Sequence, residues 1–164
     1  MKKRIKPKAG QESVWDYPRP PRLEQTDRHL KVVVNGQVIA ETTNACRILE
    51  TSHPPTYYFP PEDVRTEFFQ KRPNDSSMCE FKGRATYWDI SVENETKRAA
   101  AWSYPQPRAP YEAVKDYFCF YASRVDACYV DGEKVQAQEG DFYGGWITAD
   151  VVGPFKGGAG TWGW

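Results

Sequence analysis

Two stretches of this chain are versions of one another, and that duplication limits what it can fold into. Phe81-Lys82-Gly83-Arg84-Ala85-Thr86-Tyr87-Trp88 returns near the end as Phe155-Lys156-Gly157-Gly158-Ala159-Gly160-Thr161-Trp162, sharing the pattern F-K-G-x-A-x-x-W. A second pair precedes it in the same order: Trp15-Asp16-Tyr17-Pro18-Arg19-Pro20 and Trp102-Ser103-Tyr104-Pro105-Gln106-Pro107, the pattern W-x-Y-P-x-P. In each half one hairpin signal stands between these two motifs, Val34-Asn35-Gly36 in the first and Val130-Asp131-Gly132 in the second. Three markers in one order, twice, predict two half-units of one design, residues 12–94 and 98–164, packed about an approximate twofold axis with the two F-K-G-x-A-x-x-W strands in equivalent places. Their tryptophans are expected to be buried between the halves or to line a cleft there.

At 164 residues the chain is long enough for one domain with a sizeable core. Residues 1–11 are basic and read as a disordered tail, solvated rather than binding nucleic acid. From 12 onward the reading is mainly β: short antiparallel strands in a single domain, with one short helix near 61–70. Val32 to Val34 and Val38 to Ala40 flank Asn35-Gly36 as a type I′ hairpin. Ala45–Glu50, Thr56–Phe59, Phe81–Val92, Arg98–Tyr104, Tyr117–Ala122 and Ala127–Val130 read as strands. In the expected helix, Pro61 suits the first turn and Glu62 and Asp63 complement the amino-terminal dipole, with Val64 and Phe68 facing the core. Arg72-Pro73-Asn74-Asp75-Ser76-Ser77 reads as a loop, because its residues are turn formers.

Charge narrows the partners. Lys plus Arg and Asp plus Glu stand at 22 each, so no net field draws the chain to nucleic acid or to an anionic membrane. No apolar run approaches membrane-spanning length. Cys46, Cys79, Cys119 and Cys128 lie far apart with neither zinc-finger nor disulfide-framework spacing, which suits a reduced, cytoplasmic protein. His29 and His53 lack metal-ligand spacing, so no metal site, cofactor or catalytic set is assigned.

Lys82 and Lys156 occupy matched places before glycines. Two readings compete: cations converging on a phosphate or carboxylate, or strand ends whose ammonium groups cap carbonyls. The glycines after Lys156 suggest a phosphate loop, but the lysine precedes most of them and no helix can follow. Arg84 is polar where its repeat partner is Gly158, so the first half carries the asymmetric site. Glu50, after apolar Ile48-Leu49, is a carboxylate in need of a cationic partner. Tyr58, Trp88 and Tyr104 offer aromatic walls, against the simpler reading that such rings are core. Cys79 with His53 as its base would make a nucleophile, argued from residue types alone.

Several blocks carry a resemblance: Glu12–Pro20, Tyr58-Phe59-Pro60-Pro61-Glu62-Asp63-Val64, Cys79-Glu80-Phe81-Lys82-Gly83, Ala100–Pro105 and Gly153-Pro154-Phe155-Lys156-Gly157. Together they resemble a bacterial domain-of-unknown-function family, number four hundred and twenty-seven, labelled in places nucleotidyltransferase-like. The resemblance implies a small β-rich domain, and its label implies nucleotidyl transfer with Mg²⁺ and a nucleoside triphosphate. No glycine-serine pair followed by paired aspartates, the signature of such chemistry, is present.

Three functional readings follow. The first is a small polar or anionic ligand bound between the half-units by Lys82, Arg84, Glu50, Cys79, Lys156 and Tyr104, with Tyr58 and Trp88 as walls. The second is an interaction module presenting Tyr17-Pro18 and Tyr104-Pro105 to a protein partner. The third is the nucleotidyl transfer of the family label, which requires converging carboxylates from among Glu50, Glu62 and Asp63. An enclosed polar pocket holding Lys82 favours the first, and a flat exposed aromatic patch favours the second.

Overall fold

The computed structural model describes residues 3–140 and 142–164. Among the described residues fifteen strands follow in chain order: β1 (Glu12–Ser13), β2 (Arg22–Thr26), β3 (Leu30–Val34), β4 (Gln37–Thr42), β5 (Ala45–Leu49), β6 (Thr56–Tyr58), β7 (Phe69–Cys79) and β8 (Gly83–Val92). The remainder are β9 (Glu95–Ser103), β10 (Cys119–Phe120), β11 (Ala127–Val130), β12 (Glu133–Lys134), β13 (Gln136–Ala137), β14 (Trp146–Ile147) and β15 (Val151–Val152). Two four-stranded sheets, ordered β10-β9-β8-β7 and β12-β11-β3-β4, carry most of the structure, beside a three-stranded sheet β2-β5-β6. Helical content among the described residues is confined to short 3-10 segments. The mainly β expectation is met.

The alternation of side chains across a strand explains the core. In β3, Leu30, Val32 and Val34 are fully buried, while Lys31 and Val33 face outward. They pack with Ile39 of β4, Ile90 and Val92 of β8, Phe59, Phe120 and Trp146 in the principal core. Both hairpin turns place a non-glycine residue and then a glycine at positive φ, Asn35 (50°) with Gly36 (74°) and Asp131 (49°) with Gly132 (82°), as a type I′ turn requires. The two hairpins lie side by side, with Val32 opposite Cys128. Asn35 and Asp131 each follow that pair by three residues, so the pairing register is locally twofold about it.

The likeness of the two F-K-G-x-A-x-x-W stretches does not extend to a shared strand. Gly83 to Trp88 lies in β8, whereas 155–162 forms turns and one isolated bridge, Lys156 with Gly158. Trp162 is 90% exposed rather than buried. Its segment holds three glycines (Gly157, Gly158 and Gly160) where the first copy holds one (Gly83), and glycine weakens a strand. The helix expected near 61–70 takes the form of two separate 3-10 turns, Pro61–Asp63 and Thr66–Phe68. Between them Val64 is extended (φ −120°, ψ 134°) and bridges to Ala40.

The loop expected over 72–77 is instead inside β7. Pairing with β8 jumps from Lys71↔Trp88 to Ser76↔Thr86, so 72–75 bulge outward. Because β7 is the edge of its sheet, Pro73 forfeits no ladder partner there. Of the tail expected over 1–11, residues 1 and 2 lie outside the described residues. Further along, the Ile5 amide donates to the Gly153 carbonyl at 3.0 Å, and the Arg4 guanidinium lies 4.7 Å from the Trp15 ring centroid.

Candidate functional site

The sheets β10-β9-β8-β7 and β2-β5-β6 share a second core whose rings are mostly tyrosine and tryptophan: Tyr58, Trp102, Tyr104, Tyr111 and Tyr121, with Ile48, Ala85 and Cys119. Where this cluster meets the chain's last third, packing is incomplete and a cavity of about 320 Å³ remains, at the small end of the range for small-molecule sites. Its walls come from the end of β5 and the loop after it (Ile48, Glu50, His53, Pro54), the end of β7 and the turn to β8 (Ser77 to Lys82), the facing strands (Ala85, Tyr87, Trp102) and Tyr104 just after β9. Tyr121, Gln138, Phe142, Tyr143, Gly144 and Lys156 complete them.

Five of the residues nominated from sequence line this cavity: Glu50, Cys79, Lys82, Tyr104 and Lys156. The other three lie elsewhere. Tyr58 is fully buried behind the wall, its ring stacked 6.4 Å from that of Tyr104. Trp88 donates its indole N–H to Ser103 Oγ at 2.9 Å and packs edge-on against Phe118. Arg84 points to the surface and donates to Ser76 Oγ at 3.0 Å.

Lys82 and Lys156 approach from turns on separate parts of the chain. Each ammonium group rests over a ring of the wall: Lys82 Nζ is 5.9 Å from the Tyr104 centroid and Lys156 Nζ is 5.4 Å from that of Tyr143. Neither has an ion-pair partner among the described residues. Backbone bonds hold both turns: the Lys82 carbonyl accepts from the Arg108 amide at 2.8 Å, and the Lys156 amide donates to the Ser52 carbonyl at 2.8 Å.

Glu50 has the cationic partner its position demanded, and it is Arg19. Arg19 Nη2 lies 3.3 Å from Glu50 Oε2, and His53 Nε2 lies 3.6 Å from the same oxygen. His53 is buried, its ring edge-on to Tyr143 at 4.8 Å. Burial first, then the charges of Lys156, Lys82 and Arg19, push its pKa down to about 3, so the imidazole is neutral at pH 7. Burial likewise holds the Tyr104 phenol and the Cys119 thiol well above their usual pKa values.

Gln138 was not singled out by any sequence signal, yet it ties the site together. Its Oε1 accepts from the Gly145 amide at 3.0 Å, while its Nε2 donates to the Lys156 carbonyl at 2.7 Å and lies 3.1 Å from His53 Nδ1. Gly144 must be glycine for a different reason: a Cβ there would come within 2.2 Å of the Trp102 ring. The pair Gly144-Gly145 therefore lets the chain press against the aromatic wall. Phe142 and Met78, both exposed, flank the opening, and the Tyr121 hydroxyl donates to the Phe142 carbonyl at 2.9 Å.

A family profile described as "Domain of unknown function (DUF427)", with the short label of a nucleotidyl transferase, matches residues 22–131. That is about two-thirds of the chain. The chain belongs to the DUF427 family. The match runs from β2 to the turn after β11 and covers Glu50, His53, Cys79, Lys82 and Tyr104. Gln138, Tyr143 and Lys156 lie beyond it, so this DUF427 domain completes its cavity with a C-terminal stretch outside the matched region. No curated protein matches the chain.

The family label implies Mg²⁺ and a nucleoside triphosphate, a pairing that uses carboxylates together with the substrate's phosphates. Of the three carboxylates nominated, only Glu50 lines the cavity, and it is engaged by Arg19. Asp63 instead accepts from the Thr42 hydroxyl at 2.7 Å, and Glu62 sits on the 3-10 turn beside it. Among the described residues no three His, Cys, Asp or Glu side chains gather as metal ligands would. The three nominated carboxylates therefore do not converge on one ion. Tyr17 and Tyr104, the rings of the expected interaction surface, are each 5% exposed, so they present no aromatic patch. No helix among the described residues is long and apolar enough to cross a membrane.

Proposed function

We propose that the cavity binds a small anion bearing an apolar, planar portion, a carboxylate or a phosphate on an aromatic body. The observation that carries this reading is the pair Lys82 and Lys156, two ammonium groups without ion-pair partners among the described residues, on the wall of one aromatic-lined cavity. Holding two like charges near each other is unfavourable, and an anion between them turns that repulsion into two charge-assisted contacts. The rings of Trp102, Tyr104, Tyr121 and Tyr143 supply the apolar surface for the rest of the ligand.

The test is a thermal-shift panel of benzoate, inorganic phosphate, and nucleotides with and without Mg²⁺. A ligand at about 100 times its Kd stabilises by about 2.7 kcal/mol, or about 5–10 °C in Tm for a chain of this size. The reading expects shifts from aromatic carboxylates or phosphates that fall by about half or more in Lys82→Ala. Shifts of undiminished size in that variant sink it. A shift specific to Mg²⁺–nucleotide favours the transferase label instead.

A further inference from the structure

Gln138 fixes more than the chain around it. Its amide cannot be turned over: Oε1 faces the Gly145 N–H at 3.0 Å and Nε2 faces the Lys156 carbonyl at 2.7 Å. Reversal would set donor against donor and acceptor against acceptor. The second hydrogen of that Nε2 therefore points at His53 Nδ1, 3.1 Å away, and a nitrogen that accepts carries no proton. The neutral ring then has its proton on Nε2. That atom is on the Glu50 side of the ring, 3.6 Å from Oε2, beyond hydrogen-bond reach, and both residues line the cavity.

We infer that His53 is a fixed hydrogen-bond donor, its Nε2–H offered to an acceptor atom of the bound anion, and that Gln138 is the positioning residue that holds it so. The inference rests on the anion-binding reading for its ligand but not for its tautomer. It bears on chemistry as well. A histidine acting as base toward Cys79 needs a bare nitrogen facing the thiol, and this ring spends its bare nitrogen on Gln138. The Cys79–His53 nucleophile pairing suggested by residue types is thus replaced by a donor role. Beside the donor stands an acceptor, Glu50, so the ligand group that fits both is a hydroxyl or a carboxamide, which can accept from one and donate to the other. Among the described residues, the charged and titratable groups around the ring are Glu50 on its own loop, Lys156 and Tyr143 from the C-terminal stretch, Lys82 from the β7–β8 turn, and Arg19.

The experiment is a long-range ¹H–¹⁵N correlation spectrum of the full chain, with His53 told from His29 by its absence in His53→Gln. The expected result is a neutral ring from pH 8 to pH 5 with its proton on Nε2. A Gln138→Glu variant should move that proton to Nδ1, because a carboxylate there accepts. Gln138→Met, which removes the donor without adding charge, serves if the first variant fails to fold and should release the ring to a mixture of tautomers. A proton on Nδ1 in the unaltered protein, or an imidazolium at pH 6, overturns the inference. Mandelate, which carries a hydroxyl beside its carboxylate, is then titrated in. A shift of the Nε2–H resonance supports the donor role, and binding that leaves it unmoved refutes it. Failure of benzoate, mandelate and inorganic phosphate to bind while the tautomer is as expected counts against the anion reading alone.

Discussion

Acidification should destabilise this protein through one residue before its carboxylates take part. His53 in the folded chain takes a proton only near pH 3, whereas in the unfolded chain it does so near the ordinary value of about 6.5. Between those limits the unfolded state holds one more proton, so stability rises with pH and is lost as pH falls below about 6.5. The slope is about 1.4 kcal/mol per pH unit, giving a loss of about 2–3 kcal/mol from pH 6.5 to 4.5. Against a typical total of about 5–15 kcal/mol, that is plainly measurable. Below that window the paired carboxylates add to the loss: Asp126, held by the Asn35 amide and Lys97, and Asp131, held by Arg28 and the His29 amide, both have lowered pKa values. Their contributions are present above the ordinary carboxylate range and vanish as pH falls through the folded values. The assay is urea unfolding at pH 7.5, 6.5, 5.5 and 4.5 for the protein and for His53→Gln, compared at constant m-value. The variant should lack the slope between 6.5 and 4.5, so the two stability curves converge as pH falls. Curves that stay parallel through that window refute the buried, neutral His53.

Other substitutions separate site from scaffold. Lys82→Ala and Lys156→Ala should each weaken anion binding by about 10–100-fold while unfolding free energy stays within about 0.5 kcal/mol, read by titration calorimetry and urea unfolding. Trp146→Ala, at a ring 1% exposed whose indole donates to the Phe120 carbonyl, should cost about 3–5 kcal/mol. Trp162→Ala, at a ring 90% exposed, should change stability by less than about 0.5 kcal/mol. Gly144→Ala should push the Trp102 ring into the cavity, costing about 1–3 kcal/mol and weakening benzoate binding together with stability.

What the sequence made legible was local. Asn35-Gly36 and Asp131-Gly132 announce their turns because the backbone conformation depends on those residues alone. The β3 alternation is read as easily, since burial follows the pleat. Arg72 to Ser77 misleads by the same logic: its composition is that of a turn, and only the position of β7 at a sheet edge lets it bulge within a strand. Lys82 and Lys156 were found through the repeated motif, although the second copy is no strand. They share one cavity because the C-terminal stretch lies against the aromatic core. Gln138 carries no signal of its own, being one polar residue among many until His53, 85 positions away, lies against it. The aromatic nominations divided by depth: Tyr104 reaches the cavity, while Tyr58 one layer behind is sealed. No pattern in the sequence distinguishes those two layers.

The most direct test of the central claim is calorimetric titration of benzoate, mandelate and inorganic phosphate into the full chain and into the Lys82→Ala, Lys156→Ala double variant. The account predicts saturable one-to-one binding of at least one of these anions to the unaltered protein, and none to the double variant at unchanged Tm. Equal binding to both proteins, or no anion bound by either, would contradict it.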